Sequence, residues 1–161
     1  MTAALAFPVE RDALEVTTTL SHVHDWWMER IARVIAPAAQ PGATFWERWA
    51  AVRFLTDQFE ARFRLECQLV ESMAALLPPP LLAHLRAARV ELERTRSRLS
   101  AAGRRRGSGP EVAVLARRFL DEARRWCAAL ELATTSIAAD DLSDHSRELL
   151  ARLPGTAVLE R

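Results

Sequence analysis

Three interruptions govern what this chain can fold into. Pro37 to Thr44 carries Pro41-Gly42, Pro78-Pro79-Pro80 is an unbroken proline run, and Gly103-Arg104-Arg105-Arg106-Gly107-Ser108-Gly109-Pro110 is rich in glycine and charge. Proline removes a backbone donor and its ring collides with the preceding helical turn, while glycine and charge mark a connector. Between these breaks the apolar residues recur at three- and four-residue spacing and never alternate, so the segments read as helices and none as a strand.

The first helix is expected over about Leu20 to Ala36, ending before Pro37, with a core face of Leu20, Val23, His24, Trp27, Ile31, Val34 and Ile35. The second and longest runs from about Thr44 to Leu77, with Thr44 as N-cap and Glu47 three residues on. Its stripe is Leu55, Phe59, Phe63, Val70, Met73 and Leu77. A third spans about Leu81 to Ala101, faced by Leu81, Leu85, Ala88, Leu92 and Leu99. A fourth runs from about Pro110 to Ala138 with Val112, Leu115, Phe119, Ala123, Trp126, Leu130, Ala133 and Ile137 inward. Asp140-Asp141 breaks that pattern before a short last helix, about Ser143 to Arg152, and a tail. Pro8 and the β-branched run Val16 to Thr19 make residues 1–18 an arm. The expected fold is all-α: an antiparallel up-down four-helix bundle at 19–138, with the short helix and tail at 139–161. With 161 residues, 50% of them hydrophobic, one domain and one core suffice.

Charge and composition exclude several classes. All 22 basic residues are arginine, yet the net charge is only +1, so no global field draws the chain to nucleic acid. Arg94, Arg96, Arg98 and Arg104 to Arg106 cluster, but Glu91 and Glu93 interleave and no aromatic stacking platform adjoins them in sequence. They read as a solvated helix end and a loop. No window approaches about 18 uncharged apolar residues, so no membrane span is expected. Glu10, Arg11 and Asp12 follow a short apolar start, the reverse of a signal peptide's order, which points to a cytoplasmic protein. Cys67 and Cys127 lack C-x-x-C spacing and sit in helical patterns, so both read as buried thiols. Trp26, Trp46 and Trp49 gather with Trp27 near one end of the helices, as a surface for a protein partner or a second copy, unless the arm covers them.

The polar residues on inward faces are His24, Glu66 and His84, with Arg62 one turn before Glu66 at the margin of its stripe. A carboxylate at position 66 must be paired, protonated or metal-bound, because burying it alone is very costly. This set resembles the hemerythrin-like (HHE cation-binding) family. There a four-helix bundle carries a histidine on the first helix, H-x-x-x-E on the second, a histidine near the start of the third and a second H-x-x-x-E on the fourth. His24 falls in the first place and Ala83-His84 in the third. Arg62-Phe63-Arg64-Leu65-Glu66 falls in the second, with arginine where the family has histidine. The fourth aligns either with Trp126 to Leu130, which keeps neither ligand, or with Cys127 to Glu131, which keeps the carboxylate.

The resemblance implies a degenerate cation site in which packing and an Arg62–Glu66 pair at i, i+4 stand where the metal was. Arg62 cannot itself be a ligand, since its guanidinium stays protonated. On that reading the protein is a non-catalytic binding or interaction protein and no cofactor is expected. The alternative retains His24, Glu66 and His84 as ligands to mono- or di-nuclear iron or to zinc, with Cys127 and Glu131 as additional candidates, in a protein that stores or senses iron or oxygen. A single inward carboxylate supplies no general acid/base pair, so no enzymatic activity is expected.

Overall fold

The structure, a computed structural model, describes residues 13–153, and among them every regular element is helical. Helix α1 spans Ala13–Ala38, α2 Phe45–Phe54, α3 Glu60–Ser72, α4 Pro79–Gly103, α5 Gly109–Thr135 and α6 Asp144–Arg152. A π-helical turn, Leu55–Phe59, joins α2 to α3, and a 3-10 turn, Ala139–Asp141, precedes α6.

Several boundaries differ from those expected: the second run ends at Ser72 rather than Leu77, α4 starts at Pro79, α5 ends at Thr135, and both ends of the first helix move. The first helix begins at Ala13, so the later part of the expected arm is helical despite Val16 to Thr19; residues 1–12 lie outside the described residues. β-branching lowers helix propensity only slightly, too little to stop a helix whose next turns are packed. At its other end α1 continues through Pro37 to Ala38. The chain then tightens, with the Ala39 amide donating to the Ile35 and Ala36 carbonyls at 3.2 and 3.1 Å, and burial of Ile35, Ala38 and Ala39 holds this last turn in place.

The second run is interrupted by the π turn, which the apolar spacing does not reveal. Thr56 Oγ1 donates to the Val52 carbonyl at 2.8 Å, a side-chain bond four residues back of the kind that loosens the regular ladder. Its start is as expected. Thr44 accepts from the Glu47 amide at 3.2 Å, and the Glu47 carboxylate accepts from the Thr44 amide at 2.6 Å, a reciprocal capping box. The Thr44 amide and hydroxyl, both donating to that carboxylate, lower the pKa of Glu47 from its ordinary value.

Helix α5 lies along α4 and α1, α2 packs on α1 and α4, and α6 lies on α3. The inward faces of α1, the π turn, α3 and α5 meet in a row of rings. Trp27 lies 6.3 Å from Phe59, Phe59 5.4 Å from Phe63 and 4.9 Å from Phe119, and Phe63 5.2 Å from Trp126. Helix α4 lies along α5 and buries a narrow stripe, Leu85, Leu92, Thr95, Leu99, Ala102 and Gly103.

The close approach of α2 to the end of α4 depends on one glycine. A Cβ on Gly103 would lie 2.5 Å from Val52 Cγ2 and 3.6 Å from the Arg48 carbonyl oxygen. Gly103→Ala is therefore expected to cost about 1–3 kcal/mol through overpacking, more than the gain in helix propensity of at most about 1 kcal/mol. Urea unfolding in a Val52→Ala background checks the cause, because there the same substitution becomes neutral or stabilising.

Candidate functional site

The polar residues singled out by sequence divide into a buried group and an exposed one. His24 from α1, Arg62 and Glu66 from α3, and Trp126 from α5 are all 1–2% exposed. His84 is exposed on the second turn of α4. The set His24, Glu66 and His84 is thus not assembled; the third histidine stays at the surface while the other two residues go inward.

Glu66 is the hub of the buried group. Arg62 Nε donates to its Oε1 at 2.9 Å, and the Trp126 indole N–H donates to its Oε2 at 2.7 Å. Arg62 is fully buried rather than marginal. Its Nη1 donates to the Leu153 carbonyl at 3.1 Å, and its Cζ lies 4.9 Å from the centre of the Trp27 ring. The covering element is α6, whose C-cap residue Leu153 closes over α3. A buried guanidinium held by a carboxylate, a carbonyl and an indole face is stable because each contact replaces hydration that burial removed.

The Cys127–Glu131 register also takes part. Glu131 Oε1 lies 2.9 Å from His24 Nδ1, and since a carboxylate only accepts, Nδ1 carries the proton of this bond. On its other side, His24 Nε2 has no hydrogen-bond partner among the described residues; Glu66 Oε1 is at 3.8 Å, beyond hydrogen-bond reach. Trp126 and Leu130 are both buried at the same depth, so both registers of α5 face this cluster, one with bulk and the other with a carboxylate and a thiol.

Burial pushes the Cys127 thiol well above its usual range, reinforced by the Glu66 carboxylate and only partly opposed by Arg62. Burial likewise raises Cys67 to about 12, against the opposing pull of Arg89. Neither offers a thiolate near neutrality. Iodoacetamide at about pH 8 is therefore expected to leave both cysteines unmodified in the folded chain and to alkylate both in denaturant, as read by intact mass. A raised folded pKa gives a contribution to stability that is intact below the unfolded value. For Cys67 that contribution is lost as pH rises from 9.0 through about 12.

As placed, these side chains do not fit an iron or zinc centre. Both oxygens of Glu66 are already taken by donors, a guanidinium stands 2.9 Å from one of them, His84 is exposed and Cys127 holds its proton. A dication beside Arg62 would add like-charge repulsion in a low-dielectric core. Among the described residues, no three His, Cys, Asp or Glu side chains are grouped so as to hold a metal ion.

The tryptophan surface separates into two places. Trp26, 39% exposed, stacks on Trp27 at 6.3 Å and lies under Arg30. Trp46 and Trp49, 70% and 43% exposed, form a separate group on α2 with Phe45, which is 52% exposed. Phe45 lies 5.4 Å from Trp46 and Trp46 6.1 Å from Trp49, both edge to face, and Arg53 covers the Trp49 ring at 5.1 Å. Phe45 was missed in the sequence because, at the N-terminus of a helix, its neighbours do not define a face. No helix among the described residues is long and apolar enough to cross a membrane. In comparisons with protein-family models, curated proteins and solved structures, nothing matches this chain.

Proposed function

We propose that this chain is a cytoplasmic, hemerythrin-like up-down four-helix bundle whose cation site has given way to an ion pair, and that it works as a non-catalytic interaction protein. The resemblance rests on helix order and on the spacing of His24, Arg62 to Glu66 and Ala83-His84. The exposed aromatic group of α2, Phe45, Trp46 and Trp49, carries the reading as an interaction protein. Large aromatic side chains kept in water cost solubility and contribute nothing to the fold they leave, whereas they are the residues that most often anchor a partner. The buried cluster supports the non-catalytic part, since Glu66, its central carboxylate, has both oxygens engaged and is closed over by α6.

The test compares the wild-type chain with Trp46→Ala/Trp49→Ala, two exposed positions whose replacement leaves the thermal midpoint nearly unchanged. Light scattering over a range of concentrations identifies a second copy as the occupant if the mass falls to that of a monomer in the variant. A heterologous partner, captured from extract and then purified, is expected to bind the wild-type chain at least about ten-fold more tightly than the variant. Equal affinity for the two chains, together with equal mass, would overturn the reading.

A further inference from the structure

The fold brings together two sequence features that lie about 55 residues apart, and neither explains the other until they are adjacent. Val52 of α2 packs on Gly103, the last residue of α4, and Arg48 Nη1 lies 3.1 Å from the position of a Cβ on Gly109, the first residue of α5. The aromatic group of α2 thus stands at the same end of the molecule as the connector Arg104-Arg105-Arg106-Gly107, all four residues of which are exposed. The aromatic platform missing from the neighbourhood of these arginines in the sequence is supplied by another helix.

The charges at this end are unequally satisfied. Each nearby carboxylate is engaged: Glu47 in the capping box, Asp57 with Arg53, and Glu111 with Arg105. Among the described residues Arg48, Arg104 and Arg106 have no carboxylate partner, and the buried Nε of Arg48 has no hydrogen-bond partner at all. Further back along α4, Arg94 is paired with Glu91 and Arg96 with Glu60, while the exposed Arg98 has no carboxylate partner among the described residues and adds to the same surplus. What remains is a local surplus of guanidinium groups at the end of the molecule that carries the exposed rings, on a chain whose net charge is +1.

Resting on the interaction reading above, we propose that Phe45, Trp46 and Trp49 together with Arg48, Arg104 and Arg106 form one docking surface for an acidic peptide segment carrying at least one large apolar side chain. The carboxylates of such a segment complement the three arginines, and its apolar residue covers rings that now face water. A nucleic acid or an anionic bilayer presents charge over its whole length, and an almost neutral protein gains no long-range attraction to it. A short peptide needs only the local surplus. Arg53 over the face of Trp49 also removes one ring face from base stacking.

The test uses the full chain and a fluorescein-labelled synthetic peptide of alternating Asp or Glu with Leu and Phe, titrated by anisotropy. The expected result is saturable binding that weakens at least about three-fold between about 50 and 300 mM salt. It also weakens at least about ten-fold in Arg104→Ala/Arg106→Ala and again in Trp46→Ala. Arg104→Lys retains more affinity than Arg104→Ala, since the site asks for charge there. Any one of four results overturns the acidic-peptide assignment: equal binding of a peptide with Lys in place of Asp and Glu, equal binding to the double arginine variant, tighter binding of oligothymidine, or tighter binding of vesicles of phosphatidylcholine and phosphatidylserine at about 3:1. If the acidic peptide fails while a partner or a second copy still discriminates Trp46→Ala/Trp49→Ala, the interaction reading stands and only the acidic chemistry falls. If nothing discriminates that pair, both fall.

Discussion

Glu66→Leu is expected to lower stability by about 3–5 kcal/mol, the cost of stranding one member of a buried ion pair. The volume of leucine suits the site, so the loss is electrostatic in origin. It leaves the Arg62 guanidinium without its carboxylate, and the Trp126 indole N–H without its acceptor. For a chain of 161 residues a change of this size moves the thermal midpoint by roughly 10 °C, at about 2–4 °C per kcal/mol. The companion variant Arg62→Met/Glu66→Leu removes both charges, and replacing a buried pair by apolar groups is commonly neutral or stabilising. Here the indole N–H still lacks an acceptor, at about 1–3 kcal/mol, so the double variant is expected to recover most but not all of the loss. Urea unfolding of the four members of the cycle measures the coupling, expected to exceed about 2 kcal/mol. A rise in stability on Glu66→Leu alone would show that Arg62 does not depend on this carboxylate. The idea that an ion pair stands in place of a metal would then be lost, and a functional reason for Glu66 would have to be found.

Residues that share a helix with their neighbours were legible in the sequence, and those that depend on a distant element were not. The apolar stripes from Leu55 to Leu77 and from Val112 to Ile137 are buried throughout, because a period near 3.6 fixes a face whatever packs against it. The inward position of Glu66 and its reach to Arg62 follow from the same geometry within α3. The burial of Arg62 is different. It depends on the Leu153 carbonyl, 91 residues away, and so on a short C-terminal helix that looks peripheral in the sequence. His84 was misplaced for the complementary reason. It lies at the edge of a stripe that looks broad in sequence, whereas α4 buries only the narrow centre of that stripe and leaves His84 exposed. On α5, Trp126 and Leu130 compete with Cys127 and Glu131 for the same register, and the helix turns both sets toward the cluster. No reading of one helix alone could have chosen between them, because the arc that is buried is set by α4 and α1, along which α5 lies, together with the side chains of α3.

Trp126→Ala is expected to be at least as damaging as the loss of Glu66, and it separates two roles that one side chain combines. Trp126 is among the largest fully buried side chains, packed edge to face against Phe63, and it donates to Glu66 Oε2 at 2.7 Å. Truncation to alanine opens a cavity at a cost of about 3–5 kcal/mol and deprives a buried carboxylate of one of its two donors. Trp126→Phe keeps most of the bulk and removes only the donor, so it isolates the hydrogen bond to a charged group, expected at about 1.5–3 kcal/mol. The order of urea midpoints is therefore wild type, then Trp126→Phe, then Trp126→Ala. Free indole supplies a further check, because a cavity of that shape beside a carboxylate offers both an apolar site and an acceptor. Indole is expected to raise the midpoint of Trp126→Ala with a saturable concentration dependence, and to do so at lower concentration than naphthalene, which fills similar volume without an N–H. Equal rescue by the two compounds, or a Trp126→Phe chain as stable as wild type, would reduce Trp126 to filler. Glu66 would then be held by Arg62 alone, and the four-way agreement among α1, α3, α5 and α6 at this depth would rest on the ion pair without the indole.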